Sequence, residues 1–432
     1  MDMKSFQSIR GMNDILPQAT AAWEAVESIL HTIAAGYGYR EIRFPILEPT
    51  ELFIRTIGDA TDIVTKEMYT FMDRNNDSIT LRPEGTASCV RAGIQHGLLH
   101  NQIQRFWYMG PMFRHERPQK GRLRQFHQFG IEAFGLAGPD IDAEILLLCA
   151  RIFSMLKIQN KIVLQLNTIG NSDDRKRYRE ALLNYFSAHE EFLDEESKMR
   201  LTRNPLRILD SKNPEIIKLV QKAPKLLDYV SKDARTHFDQ LCEMLNWLKI
   251  KFAVNPYLIR GLDYYNYTVF EWVTDCLGAQ GTVCAGGHYD SLVEQLGGKS
   301  TPAIGFALGL ERLLELVDAT VYNDKAPHVY VVSLNSTLAL EMAEKIRDAV
   351  SGWRVVVNCG EGDLRAQLRR ADKSGALLAL IVDDNQNVTL KFLREQMAEQ
   401  KLSINDAINK IKAMNISDYS GMVSSISQDA QL

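Results

Sequence analysis

The six cysteines, Cys89, Cys149, Cys242, Cys276, Cys284 and Cys359, contain no C-x-x-C pair. The pattern therefore offers neither a zinc ribbon nor a dense disulfide framework. A reduced, cytoplasmic protein is the simplest expectation. No stretch approaches 18 uninterrupted apolar residues, and the opening "MDMKSFQSIRGMNDILP" has no apolar core of signal-peptide length, so neither a membrane span nor that route of export is expected. Charge of either sign is scarce in sum. With 50 Lys and Arg against 54 Asp and Glu the net is −4, unlike a protein that coats nucleic acid through a broad positive field. Any polyanion must be met by a local patch. Missing too are a Walker loop, a Rossmann fingerprint and an H-E-x-x-H metal motif: the glycines of "AGGHYD" and "FALGLER" lack the required spacing and strand-to-helix context.

What is present is a chain of 432 residues, 45% hydrophobic and 24% charged, enough for two or three domains with their own cores. After Pro17, the residues Trp23, Val26, Ile29, Leu30 and Ile33 recur at helical spacing until Gly36 and Gly38, and a strand ending near Pro45 is expected next. "QIQRFWYMGPMFRHE" and "RQFHQFGIEAFG" are aromatic and β-branched, with Pro118 and Gly121 between them, which predicts an antiparallel pair joined by an extended loop. From 171 to 253 glycine nearly vanishes and apolar positions recur every three or four residues, as in a helical insertion. Strand-like sequence resumes at "YNYTVFEWV". "TPAIGFALGLERLLELV" then runs from strand to helix, with Leu310, Leu313, Leu314 and Val317 as the buried stripe and Glu311 and Arg312 off it. Beyond about 325, strands and helices alternate as in a separate βαβ domain, and the serine-rich stretch 415–432 is expected to fray.

Four clusters carry chemistry. The loop within "FRHERPQKGRLRQFHQFGIE" gathers Arg114, Arg117, Lys120, Arg122 and Arg124, either a wet hairpin tip or a claw for a polyanion. On strands, Arg114 and Glu116 would share one face, as would Phe126, Gln128 and Glu132. Such a face suits a nucleotide and a zwitterion: Arg forks onto phosphate, a ring stacks on a base, carboxylates accept from ammonium or imidazole N–H. In "TLRPEGTASCVRAGI", Glu84 and Thr86 precede a helix and would serve equally as caps. In "LIRGLDYYNYTVFEW", Arg260, Tyr264 and Tyr265 offer a cation and two hydroxyls beside Gly261, although tandem Tyr in a strand usually packs a sheet. Arg312 would ordinarily be a helix-surface arginine. His115 and His127 read as loop residues rather than metal ligands.

In this order the clusters resemble a class II aminoacyl-tRNA synthetase, and within it the bacterial histidyl-tRNA synthetases. "FRHE" with its basic loop is similar to the second class motif, "FALGLER" to the third, and the segment ending at Pro45 to the weaker first, which builds the dimer interface. "LRPEGT", "RGLDYY" and "ADKSGA" resemble histidine-enzyme peptides, and the likeness runs from about residue 5 to 412. It implies an α+β fold: an antiparallel-sheet catalytic domain in two parts (1–170 and 254–324), a helical insertion (171–253), a C-terminal α/β anticodon-binding domain (325–414) and a tail (415–432). It also implies a homodimer that joins histidine to its tRNA through histidyl-adenylate, consuming ATP with Mg²⁺ and holding no tightly bound metal of its own.

By motif, the resemblance places Arg114 on the α-phosphate, Glu116 on the adenine edge, Phe126 stacked on adenine, and Arg122 and Arg312 on the other phosphates. Glu84, Gly85, Thr86 and Gln128 would take the amino group of histidine. Glu132 and Tyr265 would face its imidazole, with Tyr264 and Tyr289 lining the pocket. Arg260 would bridge its carboxylate and the α-phosphate, so Arg114 and Arg260 are the expected catalytic pair. Arg117 and Gln119 would reach the tRNA acceptor end, while Arg365, Arg369, Arg370 and Lys373 would face the anticodon or simply form a solvated helix face. Two positions depart from the family pattern: His288 stands where arginine is usual, and Tyr267 where a small or basic residue is common. The rivals are a synthetase-like regulatory subunit, which tends to lose the ATP arginines and the last domain, and a synthetase for another amino acid, which would lack "RGLDYY" and the Glu132–Tyr265 pair.

Overall fold

The computed structural model describes residues 6–58, 61–211, 213–262, 264–278, 281–318, 326–384 and 386–414. The expected tail, 415–432, and the expected boundary near 324 lie outside them. The chain forms two compact units, one built from Met1–Ile15 and Val26–Val317, the other from Leu16–Ala25 and Asp318–Leu432.

Helix α1 (Pro17–Gly36) starts on a proline, whose missing N–H costs nothing in a first turn. Its Val26, Ile29, Leu30 and Ile33 are buried, as their spacing predicts. There follow β1 (Arg40–Glu41), β2 (Leu47–Pro49), α2 (Thr50–Ile57), a π-helical turn (Ile63–Glu67), β3 (Tyr69–Met72), β4 (Ser78–Leu81) and α3 (Thr86–Gln95). The strand expected to end near Pro45 is thus only the two residues of β1. The carbonyl of Phe44 is instead taken by the Arg82 guanidinium at 3.0 Å, and Pro45 has no N–H to give a ladder. The long hairpin is β5 (Gln104–Phe113) and β6 (Gln125–Phe134), then α4 (Pro139–Met155) and β7 (Val163–Thr168).

Four helices follow, α5 (Ser172–Ser187), α6 (Glu195–Arg203), α7 (Pro214–Val220) and α8 (Lys232–Trp247), with a 3₁₀ turn at Pro205–Asp210. Their ends are chemically marked: Asn171 and Asp174 form a capping box on α5, Asp194 caps α6, and Ser231 caps α8. The α8 helix packs on α4 and β7. Strand structure returns at β8 (Phe252–Val254), earlier than "YNYTVFEWV", because these residues pair in parallel with β7. The unit closes with β9 (Asn266–Val273), β10 (Thr282–His288), α9 (Leu292–Gln295), β11 (Ala303–Gly309) and α10 (Leu310–Leu314). Tyr264 and Tyr265 precede β9 and so are not sheet residues.

One eight-stranded sheet, in the order β1-β5-β6-β11-β10-β9-β7-β8, carries the unit; its six central strands are antiparallel and only the edge pairs are parallel. A small sheet, β2-β4-β3, stands apart. The second unit has β12 (Val329–Val332), α11 (Ser336–Ala349), β13 (Val355–Val357), α12 (Leu364–Lys373), β14 (Leu378–Val382), β15 (Asn387–Phe392), β16 (Gln400–Ser403) and α13 (Ile404–Ala413). Its mixed sheet is covered on one face by α11 and α13 and on the other by α12, the layering of an α/β domain.

Both departures from the family pattern meet in one buried cluster. Asp142, in the first turn of α4, accepts from His288 Nε2 at 2.5 Å, His237 Nε2 at 2.8 Å and Thr268 Oγ1 at 2.5 Å. His288 Nδ1 reaches Asp290 at 3.2 Å, and the Tyr267 ring stands edge-on to His288. Tyr267 holds φ +45°, a left-handed conformation that a ringed side chain rarely adopts. The 2.5 and 2.8 Å separations are hydrogen-bond lengths, whereas two ligands of one tetrahedral zinc stand about 3.3 Å apart. The cluster is therefore an ion pair, with His288 doing for α4 and β10 what a buried arginine would do. Although burial disfavours its charge, the Asp142 and Asp290 carboxylates raise the His288 pKa to about 10.

His288→Ala leaves Asp142 buried without its cation, and a loss of about 3–5 kcal/mol in urea unfolding is expected. The His288 contribution is complete below its unfolded pKa, about 6.5, and is lost as pH rises through about 10. The stability gap between wild type and variant should therefore narrow from pH 7 to pH 10.

Candidate active site

The antiparallel strands β6, β11 and β10 form the floor of a cavity of about 180 Å³. Phe126, Gln128 and Glu132 lie on one face of β6 at the two-residue pitch of a strand. Phe126 and Gln128 line the cavity, and the Gln128 Oε1 is buried without a hydrogen-bond partner. Glu132 shares that face without lining the cavity, and the register sets it opposite Gly305 of β11, which does line it. A Cβ at Gly305 would stand 1.9 Å from the Glu132 carboxylate, so glycine is what makes room for it.

Glu132 is fully buried and takes hydrogen bonds from Thr86 Oγ1 at 2.7 Å, Tyr108 OH at 3.3 Å and Tyr289 OH. Desolvation outweighs these bonds and pushes its pKa up to about 8, with nearby Glu84 adding to the rise. Glu84 caps α3, its two oxygens accepting from the N–H groups of Thr86 (2.7 Å) and Ala87 (2.9 Å), and it also lines the cavity beside Thr86. Capping and site membership coexist in one side chain. Gly85 does not line the cavity; it lets the Tyr108 ring pass, since a Cβ there would lie 2.2 Å from that ring.

Four arginines hold the opposite wall. Arg114 gives its Nε to the Pro83 carbonyl (2.9 Å) and lies over the Phe126 ring at 5.4 Å. Arg122 pairs with Glu116, and Arg260 pairs with Glu271 while lying over the Tyr265 ring at 5.5 Å. Arg312 donates to the carbonyls of Gly121 (2.8 Å) and Thr282 (2.7 Å). Burial first, then the charges of Arg114 and Arg122, pull the Arg312 pKa down to about 10. Burial with Arg260 nearby likewise lowers Arg114. Cations crowded until each disfavours the next make a site for a multiply charged anion. Tyr264, Tyr265 and Tyr289 complete the wall between the arginines and Glu132.

The structure alters several expectations. Arg114 and Glu116 lie past the end of β5, so a shared strand face is not what unites them; Arg114 is turned inward by the Pro83 carbonyl and Glu116 by Arg122. His127 is in β6 rather than a loop, and its N–H and ring Nδ1 both engage Glu311 at 2.9 Å. Arg312 is no surface residue. Arg117 and Gln119 stay on the exposed tip, outside the cavity lining, with Gln119 bridged to Arg122 through the backbone.

On α12 the basic set divides. Arg365 and Arg369 flank an open groove with Leu364, Leu368 and Lys391, whereas Arg370 turns to Asn358 and the Glu361 carbonyl, each at 2.9 Å. Successive helical residues stand about 100° apart, so neighbours cannot share a direction. Lys373 is exposed. Sequence reasoning did not find Tyr108, Glu271 or Gly305. An aromatic or a glycine inside a strand reads as sheet packing, and only the alignment of strands shows which carboxylate it faces.

Residues 11–313 match the family model described as histidyl-tRNA synthetase, and residues 328–414 that described as anticodon binding domain. Among solved structures, an apo Staphylococcus aureus histidyl-tRNA synthetase is 30% identical, with 94% of this chain and 100% of that one covered at a TM-score of 0.78. A histidyl-tRNA synthetase from Nostoc sp. PCC 7120 is 20% identical, covering 94% of this chain and 99% of that one at a TM-score of 0.64. An ATP phosphoribosyltransferase regulatory subunit/histidyl-tRNA synthetase from Bacillus halodurans is 22% identical, covering 87% and 98% at 0.63. The last two show the fold alone.

Because the Glu132 pKa of about 8 lies above the ordinary carboxylate value, its contribution to stability is full below about pH 4.5 and lost as pH rises through 8. Glu132→Gln cannot ionise. Its thermal midpoint should therefore gain on wild type between pH 5 and pH 9, and a difference constant over that range would show that Glu132 is already charged at pH 5.

Proposed function

Because the chain belongs to the histidyl-tRNA synthetase family and is thereby a histidine--tRNA ligase, we propose that it works in two steps at the cavity described above. The histidine carboxylate attacks the α-phosphate of ATP, giving histidyl-adenylate and pyrophosphate. The 3′-hydroxyl of the tRNA terminal adenosine then takes the histidyl group. One observation carries this reading: a single cavity is lined by four arginines and, at Thr86, Tyr289 and Gly305, by the residues that enclose the buried Glu132 carboxylate.

We assign the roles by motif, and the positions of the side chains support them. Arg114 and Arg260 flank the α-phosphate, with Arg260 also on the histidine carboxylate; both are half-buried, so their charge on the developing oxyanion is less screened than at the surface. Phe126 stacks on adenine, Glu116 meets its edge, and Arg122 and Arg312 neutralise the outer phosphates. For Arg122 to turn to phosphate it leaves Glu116, which frees that carboxylate for the base. Glu84, Thr86 and the unpartnered Gln128 oxygen take the amino group, while Glu132 and Tyr265 take the imidazole, with Tyr264 and Tyr289 packing its sides. Gly85 supports this end indirectly, by admitting Tyr108. Catalysis is then positioning and charge neutralisation with no covalent enzyme intermediate.

Mg²⁺ accompanies ATP and supplies charge neutralisation there when bound. Glu84 and Glu311 are each engaged by backbone N–H groups and Glu116 is assigned to the base, so the phosphates would be its main ligands. We assign Arg117 and Gln119 to the tRNA acceptor end, the helices of 171–253 to the acceptor arm, and Arg365, Arg369, Arg370 and Lys373 to the anticodon. A homodimer is proposed through the small sheet, where Leu47, Phe71 and Met72 are exposed. A solution mass of one chain, 49.0 kDa, under assay conditions would refute it. A cytoplasmic location fits the unpaired cysteines; among the described residues no helix is long and apolar enough to cross a membrane.

ATP–pyrophosphate exchange with each of the twenty amino acids tests the chemistry and the specificity together. Histidine alone should support it, and folded protein inactive with all twenty would overturn the proposal. In the same assay Arg260→Ala should lose at least about a hundredfold in rate while histidine still binds. Near-normal exchange would remove Arg260 from its role.

A further inference from the structure

Resting on the histidine site proposed above, we infer that the helical insertion carries two positioning residues for it, Arg175 and Arg207, which hold the backbone of the Arg260–Tyr265 segment from the side away from substrate. Gly261 and Tyr265 precede β9, so their carbonyls have no sheet ladder to satisfy them and need other donors. Arg207, in the 3₁₀ turn Pro205–Asp210, gives Nη2 to the Gly261 carbonyl at 2.9 Å. Arg175, in the first turn of α5, gives Nη1 to the Tyr265 carbonyl. The two bonds bracket the segment at both ends. Just upstream the Tyr257 hydroxyl binds the Gln221 carbonyl at 2.9 Å, a further tie to the insertion.

Neither arginine lines the active-site cavity. Both instead line a small second cavity of about 50 Å³ behind the segment, together with Ile169, Ile259, Arg260 and Leu262. Arg260 is thus seen from both sides: its partners Glu271 and the Tyr265 ring are on the substrate side, and the insertion supports the chain that carries it. Because the guanidinium lies on the Tyr265 ring, a shift at either carbonyl moves the proposed carboxylate ligand and the proposed imidazole contact together. The loss of one such charge-assisted bond is expected to weaken the histidine site by roughly 10- to 100-fold.

The test uses the full-length protein and histidine-dependent ATP–pyrophosphate exchange. Arg175→Met and Arg207→Met keep the apolar stems and remove the donors. In each, the histidine KM should rise at least about tenfold, well beyond any rise in the ATP KM that follows from the place of Arg260 beside the α-phosphate, while the protein stays folded at the assay temperature. Should one variant fold poorly, the other and the histidine-induced shift of its midpoint report the same property. Unchanged histidine KM beside an active wild type overturns the inference, and so does an equal rise for both substrates. An inactive wild type is a different result, which refutes the proposed function itself.

Discussion

A carboxylate buried under a glycine is the constraint on which the site depends. Glu132 can occupy the sheet only because β11 puts Gly305 directly opposite it, and it can stay there only because Thr86, Tyr108 and Tyr289 each turn a hydroxyl to it. Those hydroxyls come from α3, β5 and the end of β10. Fixing one carboxyl group therefore fixes the mutual placement of three elements, and Gly85 and Gly130 admit the Tyr108 ring that completes the set. Such a network specifies structure strongly because a buried polar group left unpaired is costly.

The arginine wall obeys a complementary constraint. Four guanidinium groups around one cavity repel one another, and they persist because Glu116 and Glu271 accompany two of them while backbone carbonyls hold Arg114 and Arg312. A chain of net charge −4 can thus gather four arginines around one pocket, offset in part by Glu84, Glu116 and Glu311. The pocket's anion affinity is local, and so is its balance.

The Asp142 cluster ties together elements far apart in the chain. An imidazole is shorter than a guanidinium, yet His288 still reaches Asp142, and His237 from α8 supplies a second donor to the same carboxylate. Tyr267 closes the cluster from a left-handed backbone, where its N–H and carbonyl are engaged by Gly170 and Ile169. Three residues distant in sequence compensate together. Tyr289 follows directly on His288, so the cluster also anchors the strand end that delivers a hydroxyl to Glu132.

Much was legible in the sequence because local physics is written locally. Helical periodicity announced α1 and the helices of 171–253, alternation with aromatic content announced the β5–β6 hairpin, and strand-helix alternation announced the second unit. The two-residue pitch placed Phe126, Gln128 and Glu132 on one face, and of the basic cluster around Arg114 and Arg122 the sequence left open whether it was a wet tip or a claw. Other features depended on partners far along the chain: the early end of β1 at Arg82's carbonyl contacts, β8 in its pairing with β7, and the inward turn of Arg312. The sequence by itself determined residue types and their local spacing, hence the elements and the chemistry on hand. Only the tertiary structure decided that Gly305 lies under Glu132, that Glu271 accompanies Arg260, and that His288 meets Asp142, because strand register and helix packing are settled by long-range burial rather than by neighbours in the chain.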